Sequence, residues 1–220
     1  MAEGRAHLVN HTPGLNLDFF VPEKDQCEIC FAFKQKTPEE KERTQEEHNE
    51  HLRKKSIPRD LKTKDRDAAT GSTDFCACVF DMQKVLFVPK CNAGLLFYHR
   101  KLSCYDFTIF DMGPREGFCY CWDETIAKRG SNEIASFLLD FISLRAGQGF
   151  KKLNMYADNC TGQNKNRMVY AMLMHAAAKF KVSITLRFLM TGHTVNEGDS
   201  MHALIESSTA KSGMFIQEDW

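Results

Sequence analysis

Apolar residues change their spacing twice along the chain. Up to about residue 73 they are sparse and scattered among charges. Between residues 75 and 124 they crowd into short alternating runs, and from residue 131 onward runs at helical spacing alternate with short apolar stretches. The early region begins with an extended lead-in over residues 1–24, punctuated by Pro13 and Pro22. Next comes "CEICFAFKQKTPEEKERTQEEHNEHLRKK". Thr37, Pro38 and Glu40 form a capping box with proline in the first turn, which predicts a charged helix of about 15 residues. Glu39–Arg43 and Glu50–Lys54 support it at i,i+4, but it has too few apolar residues to hold itself against a core. Residues 56–73, "SIPRDLKTKDRDAATGST", read as a basic linker.

"FCACVFDM" (75–82) predicts a central strand, "VLFVP" and "LFYHRKLSCYDFTIFDM" further strand with a turn near Lys90 to Gly94, and "GFCYCWDE" (117–124) another. Ser131 is placed to cap a helix from about Asn132 to Arg145, ended by Gly147 and Gly149. "KLNMYA" is a strand, 163–180 a helix, "VSITLRFLM" a strand, and a last helix starts near Glu197. Antiparallel strands first and β/α units second predict an α/β fold: a mixed five-stranded sheet with helices on both faces. The element order is that of the ribonuclease H-like fold, here over residues 74–220, preceded by a small N-terminal module over residues 25–55.

Composition narrows this modestly. Hydrophobic content is 43% and charged content 26%, as in globular domains. No run of about 18 apolar residues spans a membrane, and the first 20 residues lack a secretory apolar core. Nine cysteines without such a leader read as reduced thiols, some on a metal. Formal net charge is zero, yet Arg53 to Arg66 carries seven Lys or Arg against two Asp, read here as solvated linker.

Chemistry concentrates at the predicted strand ends. Asp81 closes the first strand and Asp158 the fourth, which are neighbours in this fold. Two such carboxylates repel unless a divalent cation lies between them, and hard oxygen ligands suit Mg²⁺ or Mn²⁺. A third acid is expected from the last helix: Asp199, with Glu197 and Glu206 in reserve. Any single Asp at a strand end is more often a cap or turn former; three at matching places point to metal. After Asp158, the string Asn159, Thr161, Gly162, Gln163, Asn164 and Lys165 leads into a helix N-terminus, suited to phosphate contact, with Gly162 allowing close backbone approach. The competing reading is an N-cap by Asn159 or Thr161. His193 and His202 flank the third acid, for proton transfer or for holding a carboxylate.

In the early module, Cys27-x₂-Cys30, seventeen residues, then His48-x₂-His51 is a zinc pattern, with both imidazoles on one helix face. Zinc would fix the helix that is too polar to pack. Cys76 with Cys78 and Cys119 with Cys121 share faces by strand alternation and read as core thiols, a second zinc site being the alternative.

"YADNCTGQNKN" and "GHTVNEGDSMHALIE", preceded by "DQCEIC…HNEHL" and "FDMQKVLFVP", resemble a transposon-associated, largely uncharacterised eukaryotic domain family, read as a ribonuclease H-like core of the DDE transposase and integrase type. The similarity runs from about Phe19 onward. The resemblance implies Asp81, Asp158 and Asp199 as catalytic acids, DNA as partner, and a chain continuing past Trp220, hence a C-terminally truncated core. Two functions follow as expectations. One is metal-dependent phosphodiester cleavage or strand transfer in the nucleus. The other is an inactive domesticated or fragmentary remnant, a zinc-stabilised nucleic-acid or protein-binding module.

Overall fold

The computed structural model describes residues 27–90, 94, 98–190, 197–208 and 213–216. The expected lead-in, His193 and most of the Lys90 to Gly94 turn lie outside the described residues.

Helix α1 (Glu28–Gln35) is followed by α2 (Pro38–Ala69), which opens on the capping box expected at Thr37 and Glu40. The structure departs from the expected short helix and linker: α2 runs unbroken through the basic stretch to Ala69, with Pro58 inside it. Tertiary contact explains this, since low apolar content does not prevent a helix docked through polar groups. Asp65 Oδ2 accepts from Asn154 Nδ2 (2.7 Å), the Tyr156 hydroxyl and Arg187 Nη1 (2.6 Å), and Ala69 is buried one turn further on.

The sheet contains β1 (Phe75–Met82), β2 (Leu86–Val88), β3 (Leu102–Asp111), β4 (Glu116–Asp123), β5 (Lys152–Ala157) and β6 (Ser183–Phe188). These are six strands in a mixed sheet rather than the expected five. Pairing shows why. β4 pairs with β3 over 104–111, so β1 and β2, which pair with the same residues of β3, must share its other edge. Four steps from Met82 to Leu86 face three from Cys104 to Phe107, so one extra residue bulges and splits a single edge-long strand in two. Gln83 N–H still donates to Asp106 O (3.0 Å) across the split. The order is therefore β4-β3-(β1,β2)-β5-β6, with β1–β5 and β5–β6 parallel and the other pairs antiparallel.

Strand alternation divides the sheet's residues between two faces. Cys76, Cys78, Phe80, Phe107, Ile109, Leu153 and Met155 pack beneath α3 (Ser131–Gly147) and α4 (Arg167–Phe180) in the main core. Each fully buried Phe or Leu there contributes about 1.5–3 kcal/mol. Arg145 of α3 is buried with them, paired with Asp111 (2.8 Å) and lying against the Phe118 and Phe141 rings. The other face carries Ala77, Val79, Phe110 and Tyr156, and is covered by α2 and α5 (Glu197–Ser208). A side chain at Gly117 of β4 would meet the end of the Met201 thioether of α5, which would have to swing aside.

Two helix starts differ from expectation. Gly130, not Ser131, is the N-cap of α3. α4 begins at Arg167 rather than 163: the Asn166 side chain accepts from Met168 N–H and Val169 N–H, while the amides of residues 163–165 all turn back to Cys160 O.

Candidate metal centres

Ala77 and Val79 of β1 face α2 and α5, and Asp81 continues that alternation at the strand's end. α5 begins at Glu197 over the same end, which places Asp199 in its first turn and His202 one turn later. One ligand atom from each of Asp81, Asp199 and His202 lies within 4.8 Å of the other two. Asp81 is half-buried, Asp199 exposed and His202 buried, so the group opens to solvent on the Asp199 side.

His202 is fixed from below. Its Nε2 lies 3.1 Å from Thr108 Oγ1, whose hydroxyl donates to Asp106 Oδ2 (3.2 Å). Asp106 Oδ1 also accepts from the Cys121 thiol (3.4 Å). Burial pushes the Asp106 carboxyl above the usual range, against the lowering effect of these donors and of His202. Burial also pushes the Cys121 thiol up to about 12, beside that carboxyl, which disfavours its thiolate. Asp106 and Thr108 share a parity within "CYDFTIFD". An acid and a hydroxyl alternating through an apolar strand is the signal that reading for strand ends passes over.

Asp158 follows β5 directly. The last rung of the β1–β5 ladder is Val79 with Tyr156, so Asp81 and Asp158 stand the same two residues beyond it on adjacent strands. Asp158 does not join the 4.8 Å group. Its Oδ1 accepts from Cys160 N–H (3.2 Å) and from Asn164 Nδ2, and its Oδ2 has no hydrogen bond among the described residues. Asn164 is buried, with its own Oδ1 unpartnered. Asn159, Thr161 and Lys165 are exposed beside it, Gln163 is half-buried with its carbonyl bonded to Asn166 Nδ2, and Lys165 Nζ lies 5.5 Å from the Phe188 ring centre. A side chain at Gly162 would meet nothing within 4 Å, so packing does not require glycine there.

The reserve acids have other partners. Glu197 pairs with Lys62 Nζ of α2 (2.6 Å). Glu206 accepts from Lys84 Nζ (2.7 Å) and Gln83 Nε2 (3.2 Å), the lysine first among the causes that hold its carboxyl below the ordinary range.

The second cluster joins α1 to α2. Cys27, Cys30 and His51 offer ligand atoms within 4.8 Å of one another, with Cys27 Sγ and His51 Nε2 3.3 Å apart. Burial lowers the His51 pKa, favouring the neutral, ligating imidazole. His48 is not in the group: its ring stacks on Phe33 at 3.9 Å between centres, and lies 6.2 Å from the His51 ring. No helix among the described residues is long and apolar enough to cross a membrane.

A family model described as a domain of unknown function (DUF7869) matches residues 107–218, half of the chain. The match includes Asp158, Asp199 and His202, and excludes Asp81 and the thiol–imidazole cluster. No curated protein matches the chain.

Proposed function

We propose, for a chain that belongs to the DUF7869 domain family, a metal-dependent phosphoryl-transfer activity on DNA of the nuclease or transposase type, built on a ribonuclease H-like core. One observation carries the reading: Asp81 and Asp199, far apart in sequence, meet with His202 at the end of the strand on which a β/α sheet gathers its ligands. The strand order, with two antiparallel strands on one side of β1 and two parallel strands on the other, supports the fold assignment.

The donor set fits a divalent cation. Two carboxylates beside an imidazole form a mixed oxygen and nitrogen set, which suits Mn²⁺ better than the all-oxygen preference of Mg²⁺. A cation held by Asp81, Asp199 and His202 would supply charge neutralisation at a phosphate oxygen and a more acidic bound water. Asp158 is the fourth member, its Oδ2 left for ligand or substrate while Asn164 and the Cys160 amide fix Oδ1. The exposed Asn159, Thr161 and Lys165 are the substrate-backbone contacts. Thr108 and Asp106 orient His202 from behind, as outer partners do for ligating histidines. Zn²⁺ fits the other cluster, with Cys27, Cys30 and His51 as ligands; His48, one turn earlier on the same helix face, would become the fourth by leaving its stack on Phe33. A nuclear location follows from the DNA substrate.

Nicking of supercoiled plasmid in Mn²⁺ tests the activity. Wild type should nick, and Asp81→Asn and Asp199→Asn should lose at least about a hundredfold in rate, the scale of removing a principal charge-stabilising group. Metal-independent nicking, or variants as active as wild type, would contradict it. The specific observation favouring the second reading, an inactive zinc-stabilised binding module, is the separation of Asp158 from the 4.8 Å group. No nicking together with zinc-dependent folding would support that reading.

A further inference from the structure

The basic residues of α2 are distributed by helical geometry. Arg59, Lys62, Thr63, Arg66 and Thr70 fall at i, i+3, i+4, i+7 and i+11, a single stripe. That stripe does not face open solvent alone. It forms one wall of two adjoining cavities, of about 160 and 360 Å³, whose other wall is Met112, Gly113 and Arg115 at the β3–β4 turn. The two cavities share Arg66, Met112 and Glu197, so they are one continuous groove.

Its charge is one-sided. Among the described residues, four cations, Arg59, Lys62, Arg66 and Arg115, line it against a single acid, Glu197, which Lys62 already neutralises. Arg59 and Arg115 are exposed and make no ion pair or hydrogen bond among the described residues. Among the described residues, Arg66 pairs with its exposed neighbour Asp67 alone. Arginines concentrated along a concave track, two of them with no acidic partner among the described residues, fit a ligand of repeating negative charge. From Arg59 to Arg66 the stripe spans roughly 10 Å at 1.5 Å per residue, about three steps of a nucleic-acid strand. Glu197, at the junction of the two cavities, is in the same helical turn as Asp199.

We propose that this groove between α2 and the β3–β4 turn binds a nucleic-acid phosphodiester backbone through Arg59, Arg66 and Arg115. Its purpose, feeding a strand to the Asp81–Asp199 end of the sheet, rests on the phosphoryl-transfer reading; its binding rests on its own charge. The contact is with phosphate and carries no base preference. Lys62 has a different role: its ion pair to Glu197 ties α2 to the first turn of α5 and keeps the groove next to that turn.

The test is anisotropy titration of the zinc-loaded full chain with a fluorescein-labelled duplex of about 20 base pairs and arbitrary sequence, with no added Mg²⁺ or Mn²⁺, between about 50 and 200 mM salt, the range over which counterion release is steep. Arg59→Ala with Arg115→Ala should weaken binding about tenfold or more at 100 mM salt, and flatten the log–log salt slope by about 1–2, since each phosphate contact adds about 0.9. Arg59→Lys with Arg115→Lys should retain the slope. Lys151→Ala with Lys179→Ala removes the same charge from residues that do not line the groove, one just before β5 and one on α4, and should change binding little. A wild type that does not bind, or an arginine pair no weaker than the lysine control pair, would overturn the proposal. Asp199→Asn should bind as wild type. A wild type that shows this groove effect but does not nick in Mn²⁺ sinks the phosphoryl-transfer reading alone, and one that nicks without the groove effect sinks the groove alone.

Discussion

The two candidate metal clusters are built by opposite logics. Cys27, Cys30 and His51 come from one stretch of chain, on a helix pair with little to bury: α1 has no buried residue, and α2 buries only His51, Lys62 and Ala69. Asp81, Asp199 and His202 come from distant segments and meet because a packed sheet brings them together. In the first, metal would make the fold. In the second, the fold gathers the candidate ligands whether or not metal is bound. The long helix α2 joins them, with the thiol cluster near its start, and with the Asp65 anchor and Lys62 near its end.

The largest expected effect lies in the first cluster. Structural zinc contributes about 10–16 kcal/mol in small zinc modules. Stripping zinc, or Cys27→Ser, should remove amide-exchange protection from residues 28–55 and leave β1 and β5 protected. Equal protection with and without zinc would erase the contrast between the two clusters. Next, Asp65→Ala leaves Arg187, Asn154 and Tyr156 without their shared acceptor. With Asp65 18% and Arg187 27% exposed, urea unfolding should show a loss of about 2–3 kcal/mol, below the figure for a fully buried pair. A change under about 0.5 kcal/mol would mean that α2 is held by something other than this anchor.

Thr108→Val removes the partner of His202 Nε2 while preserving shape. Mn²⁺ affinity should fall about tenfold or more, with little change in zinc-dependent protection. An unchanged affinity would remove Thr108 from the site. The smallest effect is at Glu206. Its carboxyl is held below the ordinary value first by the Lys84 bond, so the folded state gains stability above the unfolded pKa and loses it as pH falls through the folded pKa. Both side chains are partly exposed, so Glu206→Gln should cost about 0.2–1 kcal/mol at pH 7 and nothing at pH 2–3, by urea melts at each pH. A cost that persists in acid would make the residue's role steric.

The sheet was legible because its strands obey period two and its helices carry apolar stripes, features set locally. The split of the first strand was not: a one-residue bulge is a mismatch between Met82–Leu86 and Cys104–Phe107, visible only once the strands pair. α2 was underread because its docking is polar. Asp65 reads as one more surface charge until Asn154, Tyr156 and Arg187 arrive from elsewhere in the chain. Asp199 and His202 were visible as polar residues opening a helix, and Asp81 as an acid ending a strand. That His202 would stand among the ligand atoms, with Asp106 and Thr108 behind it, depends on how α5 lies across β3, which no local pattern encodes.

The central claim is that Asp81, Asp199 and His202 form one divalent-cation site. Titration of zinc-saturated protein with Mn²⁺, read by electron paramagnetic resonance of the free ion, addresses it directly. Saturable uptake into wild type that disappears in both Asp81→Asn and Asp199→Asn is the predicted result. Uptake that survives either substitution, or wild type that takes up no Mn²⁺, would contradict it.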